Sequence, residues 1–308
     1  MFTFDYVGSV DTQPERERER DLEIITKTTT TTTTNRFAHF ARERYDIPIA
    51  AAIAYLSLVF FTRNWNKNSN AKQSALLRAS FALWNLCLSI FSVWGFINTV
   101  EHFPENWYKD GYLCADPFTR NRLRENFTPG TALIIFIFSK IPELLDTLFL
   151  ILKGKKIRVL QWYHHCTVML FVWFALATEY APGMWFAIMN YLVHSVMYMY
   201  FALAETFPSK RKTLRKIGPF VTLMQTSQMV IGLAVNASAA YVYFEGTRDC
   251  HITKEAIYAA IVMYFSYFVL FAKLFYDSVI RTREVVAENC CGGEFDLDAK
   301  NGDRKKNK

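Results

Sequence analysis

The sequence predicts an all-α polytopic membrane protein with seven transmembrane helices. Several apolar runs reach or exceed about 18–20 residues, the length that a helix needs to cross the hydrocarbon core. Short polar loops separate these runs, so the mean hydropathy is only +0.07 although 52% of the 308 residues are hydrophobic. Lys and Arg collect in alternate loops, as they do on the cytosolic side of membrane proteins. Topology therefore accounts for the net charge of +7, which gives no reason to expect nucleic acid as a partner.

The predicted spans fill most of the chain. The first is short and must tilt, or include residues before Ile47, in order to cross the membrane. The seven spans are about Ile47–Thr62, Ala75–Val100, Gly130–Leu152, Val159–Ala177, Pro182–Ala204, Ile217–Phe244 and Ala256–Ile280.

Polar segments lie before and after the helical domain. Residues 1–45 contain alternating Glu and Arg and a run of Thr, and such low-complexity sequence cannot bury a core. We therefore expect them to be disordered. Residues 46–282 form the seven-helix domain, and residues 283–308 form a polar tail.

The basic loops predict the orientation of the spans. Clusters of Lys and Arg follow spans one, three, five and seven, whereas the loop at 178–183 contains neither. The positive-inside rule places the clusters and the C-terminus in the cytosol and the N-terminus in the lumen. Arg36, Arg42 and Arg44, just before span one, run against this orientation but are outnumbered.

Three further predictions follow from this orientation. Cys114 and Cys250 both fall in lumenal loops, where disulfides can form, and we expect them to form a bridge. Asn126 begins an Asn-x-Thr sequon in a lumenal loop and is a candidate for glycosylation. Lys305 and Lys306, near the end of a cytosolic tail, resemble the dilysine signal that returns proteins to the endoplasmic reticulum, although they could also be an ordinary basic tail.

Ionisable side chains interrupt the third span. Lys140, Glu143 and Asp146 each cost on the order of 2.5–3.5 kcal/mol at a span centre, more in total than the apolar residues of one span return. In a regular helix their spacing puts Lys140, Glu143 and Thr147 on one stripe, with Asp146 at its edge. This stripe must face the interior of the bundle and find partners there.

The next three spans also carry polar faces. Any one of them could be explained by hydrogen bonds between membrane helices. Three histidines and three charges in one bundle favour instead a buried reaction chamber. The residues are Gln161, His164 and His165 in span four, Asn190, His194 and Tyr198 in span five, and Thr222, Gln225 and Gln228 in span six.

Together these residues resemble the four signature motifs of the fatty acid elongase (ELO) family, over roughly residues 45–285. Two positions depart from the family pattern: Gln161 stands where the histidine box begins with His, and Phe201 stands where the third motif ends in Tyr. The motifs read Lys140-x-x-Glu143-x-x-Asp146-Thr147, Gln161-Trp162-Tyr163-His164-His165, Asn190-x-x-Val193-His194-x-x-Met197-Tyr198-x-Tyr200-Phe201 and Thr222-x-x-Gln225-x-x-Gln228.

The resemblance implies a fold and a reaction. Spans two to seven would form a six-helix barrel around a closed acyl tunnel, with the first span outside. The reaction would condense acyl-CoA with malonyl-CoA to 3-oxoacyl-CoA, CO2 and CoA, without a cofactor or a metal. His164 would carry the acyl group as an acyl-imidazole and His194 would be the facing base, although the two could exchange roles.

Supporting roles are implied as well. Gln225, Asn190 and His165 could donate hydrogen bonds to the developing oxyanion, and the charged residues of span three would position the histidines. The expected partners are a ketoacyl-CoA reductase, a dehydratase, an enoyl reductase and a second copy of the chain. The segments around Gln161 and Asn190 look most like the branch that extends saturated and monounsaturated chains of about palmitate length. Basic residues that could attract CoA phosphates are Lys155, Lys156, Lys210, Arg211 and Lys212.

Two other function classes remain as alternatives. A membrane di-iron desaturase or hydroxylase also uses histidine boxes, but only His164, His165 and His194 lie within the spans. A seven-helix receptor or transporter suits the topology, yet it gives no reason for the intramembrane histidines.

Overall fold

The computed structural model describes residues 36–62, 74–100, 129–246 and 252–277, and the statements below concern these residues alone. This part of the chain is helical and contains no β-strand. Its elements are α1 (Arg36–Glu43), α2 (Asp46–Thr62), α3 (Ala75–Val100), α4 (Pro129–Ser139), a 3-10 turn (Pro142–Leu144), α5 (Leu145–Leu152), α6 (Val159–Ala177), α7 (Gly183–Thr206), a 3-10 turn (Pro208–Lys210), α8 (Arg211–Leu214), α9 (Gly218–Glu245) and α10 (Lys254–Phe275).

The helices confirm the all-α polytopic membrane fold. Five of those described, α3, α6, α7, α9 and α10, are long and apolar enough to cross a membrane. Helices α1 and α2 meet the same criterion together, but they are bent by 55° at the break between them. The predicted count of seven spans is not confirmed, because the third predicted span consists of pieces that are each too short to cross alone.

Six helices close a ring. Helix α3 packs against α7, followed by α9, α10, α6 and α4, which returns to α3. Helix α2 packs against α6 and takes no place in this ring. The arrangement agrees with the expected six-helix barrel that leaves the first span outside. Large apolar side chains such as Phe61, Leu83 and Val262 are exposed, as expected of surfaces that face lipid.

A proline breaks the predicted third span. Pro142 has no backbone N–H to donate, and the helix gives way to i→i+3 hydrogen bonds from Lys140 to Ile137 and from Ile141 to Phe138. The prediction of one regular helix from Gly130 to Leu152 is therefore wrong. The break divides the polar residues of this span between two clusters, described below.

Helix α1 lies within the segment that we predicted to be disordered. The prediction for residues 1–45 is wrong from residue 36 onward, because α1 packs on the barrel. Ala38 and Ala41 are fully buried, and the indole of Trp173 donates to the Ala41 carbonyl oxygen at 2.9 Å. The polar composition that predicted disorder gave no signal of these tertiary contacts.

Two close helix contacts require glycine. A Cβ atom on Gly95 would overlap the ring of Tyr191, and one on Gly232 would overlap the ring of Tyr264. Both tyrosines are buried, so neither ring can move aside easily.

We expect Gly95→Ala to lower the free energy of unfolding by about 1–3 kcal/mol, the usual cost of overpacking. Gly183→Ala is the matched control, since no neighbouring atom lies within 4 Å of the added methyl group. Thermal unfolding of the purified variants in detergent measures the difference. Equal stability of the two variants would show that the α3–α7 contact is looser than described.

Several predicted features lie outside the described residues. These are the Cys114–Cys250 bridge, the Asn126 glycosylation sequon and the retrieval signal at Lys305 and Lys306. They stay predictions.

Candidate active site

The barrel encloses a largely apolar cavity. Its empty volume, including the open space at its mouth, is about 730 Å3. His164 and Leu176 both line it and lie twelve residues apart on α6, about 18 Å at the rise of a helix. The cavity wall therefore extends over about 18 Å along α6. Helices α4, α6, α7, α9 and α10 all contribute to its walls.

His164 stands where this cavity becomes polar. Its imidazole lies beside the ring of Tyr267, with 4.8 Å between ring centroids, and close to that of Phe271 at 6.3 Å. The Tyr267 hydroxyl lies 2.6 Å from the Thr167 hydroxyl, which fixes the tyrosine ring against α6. The amides of Asn190 and Gln228 also line the cavity. The imidazole of His164 thus borders the apolar cavity and packs against two aromatic rings of α10.

A buried ion pair lies next to this polar end. The Lys140 ammonium donates to both Glu143 oxygens, at 2.7 and 3.0 Å, and both side chains are only 3% exposed. The same ammonium donates to the Asn190 Oδ1 atom at 3.1 Å and lies 4.1 Å from the centre of the Phe136 ring. Ser139 donates a further hydrogen bond to Glu143. Paired in this way, two charges can remain inside the barrel.

Lys140 also determines the orientation of the Asn190 amide relative to His194. An ammonium only donates, so the Asn190 atom that faces it must be the carbonyl oxygen. The Asn190 amide nitrogen then donates to the His194 Nε2 atom, 3.1 Å away. Since Nε2 accepts this bond, the proton of a neutral His194 is assigned to Nδ1. The charged residues of the first motif therefore set the tautomer of His194 through one amide.

Asp146 belongs to a second polar cluster. Its carboxylate accepts from the Trp84 indole at 2.6 Å and from the Tyr198 hydroxyl at 2.7 Å. His165 approaches the same carboxylate, with its Nε2 atom 3.9 Å from Oδ2. The cluster ties α3, α5, α6 and α7 together beside the histidine pair. His165 faces this carboxylate, whereas His164 faces the cavity.

Thr147 joins the barrel to the outer helix α2. Its hydroxyl lies 2.8 Å from the buried Tyr55 hydroxyl, and the Gln161 amide donates to it at 3.5 Å. Gln161 thus stands at the edge of the polar region, three residues before His164. Sequence spacing placed Thr147 beside Lys140 and Glu143, but the break at Pro142 gives it these other partners.

The three polar residues predicted in span six have different surroundings. Thr222 donates to the Gly218 carbonyl oxygen of its own helix. Gln225 donates to the sulfur of Met197 at 3.0 Å, which links α9 to α7. Gln228 is buried and lines the cavity, so of the three it lies best to contact a substrate.

Two basic connections meet at the end of the barrel nearest His164. Glu205 accepts from Lys153 at 2.6 Å and from Arg211 at 3.1 Å, which brings the α5–α6 loop beside the α7–α9 connection. Burial lowers the pKa of the Lys153 ammonium, while its hydrogen bond to Glu205 opposes this shift. The other basic residues predicted to attract phosphates are exposed in these connections, and they are Lys155, Lys156, Lys210 and Lys212.

Comparison with known proteins identifies the family. The profile of the GNS1/SUR4 (ELO) family matches residues 40–286, which include all the residues of the candidate site. The chain belongs to this family. Among its relatives, fatty acid elongase 2 of Trypanosoma cruzi is 35% identical over 82% of this chain and 93% of its own length. Fatty acid elongase 1 of Trypanosoma brucei brucei is 38% identical over 70% of each chain, and very long chain fatty acid elongase 6 of Drosophila melanogaster is 34% identical over 73% of this chain and 70% of its own.

Sequence reasoning missed four residues of this ELO family site. Trp84, Tyr55 and Tyr267 each contact a motif residue, and Lys153 shares Glu205 with Arg211. The first three are aromatic residues in apolar spans, where nothing in the pattern separates them from the other aromatic side chains. Only the packing of the helices shows their partners.

Within residues 36–62, 74–100, 129–246 and 252–277, no group of three or more His, Cys, Asp or Glu side chains is arranged to hold a metal ion. His165 and Asp146 approach each other, but no third such ligand joins them there.

Proposed function

We propose that this ELO family member is the acyltransferase that performs the condensing step of fatty acid elongation. Acyl-CoA and malonyl-CoA give 3-oxoacyl-CoA, CO2 and CoA. The observation that carries the proposal is the position of His164, whose imidazole stands at the polar end of a long apolar cavity. The names of the relatives, all fatty acid elongases, support it.

In the first half-reaction, His164 attacks the thioester carbonyl carbon. The C–N bond forms, the C–S bond breaks, and the proton released by the imidazole leaves with the CoA thiolate. Imidazole is a competent nucleophile because it is largely uncharged at neutral pH. The apolar cavity holds the acyl chain and keeps water away from the acyl-imidazole, which would otherwise hydrolyse.

In the second half-reaction, malonyl-CoA replaces CoA. Its C–C bond to the carboxylate breaks and CO2 leaves, so the electron pair stays on the neighbouring carbon as an enolate. This carbon attacks the acyl carbon, the new C–C bond forms, and the C–N bond to His164 breaks. The imidazole takes up one proton from water as it leaves, which is the proton that the overall reaction consumes. His164 is thereby regenerated, and the product is a 3-oxoacyl-CoA two carbons longer.

The hydrogen bond from Asn190 bears on the role of His194. A base needs a free lone pair, but the His194 Nε2 atom accepts from Asn190. Its remaining nitrogen, Nδ1, carries a proton and can only donate. We therefore assign His194 the role of a hydrogen-bond donor through Nδ1, instead of the role of facing base.

We also infer the membrane and the orientation of the protein from the sequence. The chain is a multi-pass membrane protein, which we place in the endoplasmic reticulum with its N-terminus in the lumen and its C-terminus in the cytosol. The basic connections would then face cytosolic CoA esters. Reduction, dehydration and a second reduction must follow condensation, so a ketoacyl-CoA reductase, a dehydratase and an enoyl reductase are the expected partners.

Labelled malonyl-CoA tests the proposed function. Purified protein is incubated with acyl-CoA of several chain lengths and malonyl-CoA labelled at its central carbon. We expect the label in a 3-oxoacyl-CoA and release of one CO2 for each product formed. Absence of labelled product at every chain length would contradict the proposal and would favour a receptor or transporter.

Gln161 provides a milder test of the site. We expect Gln161→His to retain condensing activity within about tenfold of the unaltered protein, because the amide contacts Thr147 and not the cavity. The same assay with labelled malonyl-CoA measures it, and Gln161→Ala serves as the matched variant without a polar group. An inactive Gln161→His protein would mean that this position takes part in the chemistry.

A further inference from the structure

The far end of the cavity lies at the turn between α6 and α7. Glu179, Tyr180 and Gly183 line it there, about as far from His164 as the cavity extends. Glu179 adopts a φ of 52°, in the left-handed region that non-glycine residues seldom enter. The turn thus holds a charged side chain at the edge of an otherwise apolar space.

Arg42 of helix α1 contacts both parts of this turn. Its Nε atom donates to the Ala177 carbonyl oxygen at 2.6 Å, and its Nη2 atom donates to the Glu179 carboxylate at 2.6 Å. Ala177 is the last residue of α6, where carbonyl groups lack partners within the helix. Arg42 therefore satisfies one such group and fixes the Glu179 side chain at once.

Helix α1 is anchored well enough to hold Arg42 in place. The Trp173 indole donates to the Ala41 carbonyl oxygen, one residue before Arg42. The ring of Phe40 packs near Trp173 and Phe138, with centroids 6.0 and 6.4 Å away. These contacts fasten α1 to α4 and α6 of the barrel. The segment before the first span therefore packs against the outside of the barrel at this end.

We propose that Arg42 and Glu179 form a latch that closes the far end of the acyl cavity and limits the length of the chain it accepts. The inference rests on the proposed function, since it assumes that the cavity holds an acyl chain. An acyl chain longer than the cavity has to displace the turn, and the turn cannot move without separating Arg42 from Ala177 and Glu179. Arg42 is in this sense a specificity-determining residue that lies outside the four motifs.

The test compares chain-length profiles of two arginine variants. Purified full-length protein is given saturated acyl-CoA substrates of increasing length together with labelled malonyl-CoA. Arg42→Ala removes the latch, whereas Arg44→Ala removes an arginine that pairs with Asp46 on the same segment. Arg44 is thus a matched control for charge and position.

The shortest acyl-CoA that is too long for the unaltered protein should be elongated by Arg42→Ala at a rate at least about tenfold higher. An extra methylene in an apolar pocket usually changes the rate by about that factor. Its rate with the shortest substrates should be unchanged, and Arg44→Ala should keep the original profile. If Arg42→Ala lowers stability, Glu179→Gln breaks the same ion pair with an isosteric side chain and should shift the profile in the same direction.

Three outcomes would overturn the latch. They are an unchanged profile in both Arg42→Ala and Glu179→Gln, a uniform loss of rate at every chain length, and an equal shift in Arg44→Ala. Failure of the proposed function has a different signature, because the unaltered protein would then form no labelled product from any substrate.

Discussion

Replacing His164 by Ala should reduce condensation by at least about a thousand-fold, because in the proposed mechanism His164 is the nucleophile that forms the covalent intermediate. The cavity wall retains Asn190 and Gln228, but neither amide can form a stable acyl intermediate. His194 cannot take over, since its unprotonated nitrogen, Nε2, already accepts the hydrogen bond from Asn190.

The labelled malonyl-CoA assay measures this loss, and size-exclusion chromatography in detergent shows whether the variant folds. His39→Ala is the control, because His39 lies on α1, pairs with Glu43 and is largely exposed. A His164→Ala protein that is folded and retains more than a few per cent of the original rate would contradict the assignment of the nucleophile.

Replacing Glu143 by Ala should lower the free energy of unfolding by about 3–5 kcal/mol, the usual cost of leaving one partner of a buried ion pair alone. Lys140 would keep only the Asn190 oxygen and the face of the Phe136 ring as partners. Water cannot solvate its ammonium well, because the side chain is only 3% exposed. The loss should appear as a clear drop in the thermal unfolding temperature in detergent.

The double variant Lys140→Leu with Glu143→Leu removes both charges of the ion pair. It tests whether the stability lost in Glu143→Ala comes from the ammonium left without its partner. Replacing both charges by apolar groups often restores stability, so the double variant should unfold at a higher temperature than Glu143→Ala. It should still be inactive, because Asn190 and His194 would lose the contact that orients them. Equal unfolding temperatures for Glu143→Ala and the unaltered protein would mean that Lys140 is not buried as a charge.

Hydropathy alone predicted the fold class, but the predicted count of seven spans is not confirmed. The prediction failed at the third span and in the segment before the first. The apolar segments on either side of Pro142 suggested one helix, but the proline between them broke it. Helix α1 was missed because its burial depends on Trp173, which is distant in sequence.

The candidate site was predicted in composition but not in arrangement. The cost of burying charge in the membrane correctly indicated that Lys140, Glu143 and Asp146 must have partners. Helical periodicity could not show that Lys140 and Glu143 pair with each other while Asp146 pairs with Trp84 and Tyr198. Nor could periodicity distinguish His164 from His194, because both lie on inward faces of their helices. The structure shows that, of the two, His164 lines the cavity.

Intact-protein mass spectrometry after exposure to acyl-CoA alone tests the central claim most directly. Without malonyl-CoA the reaction should stop at the acyl-imidazole, so the mass should increase by one acyl group and peptide mapping should place it on His164. The adduct should disappear when malonyl-CoA is added. A protein that turns over both substrates yet never carries an acyl group, or carries it on a residue other than His164, would contradict this account.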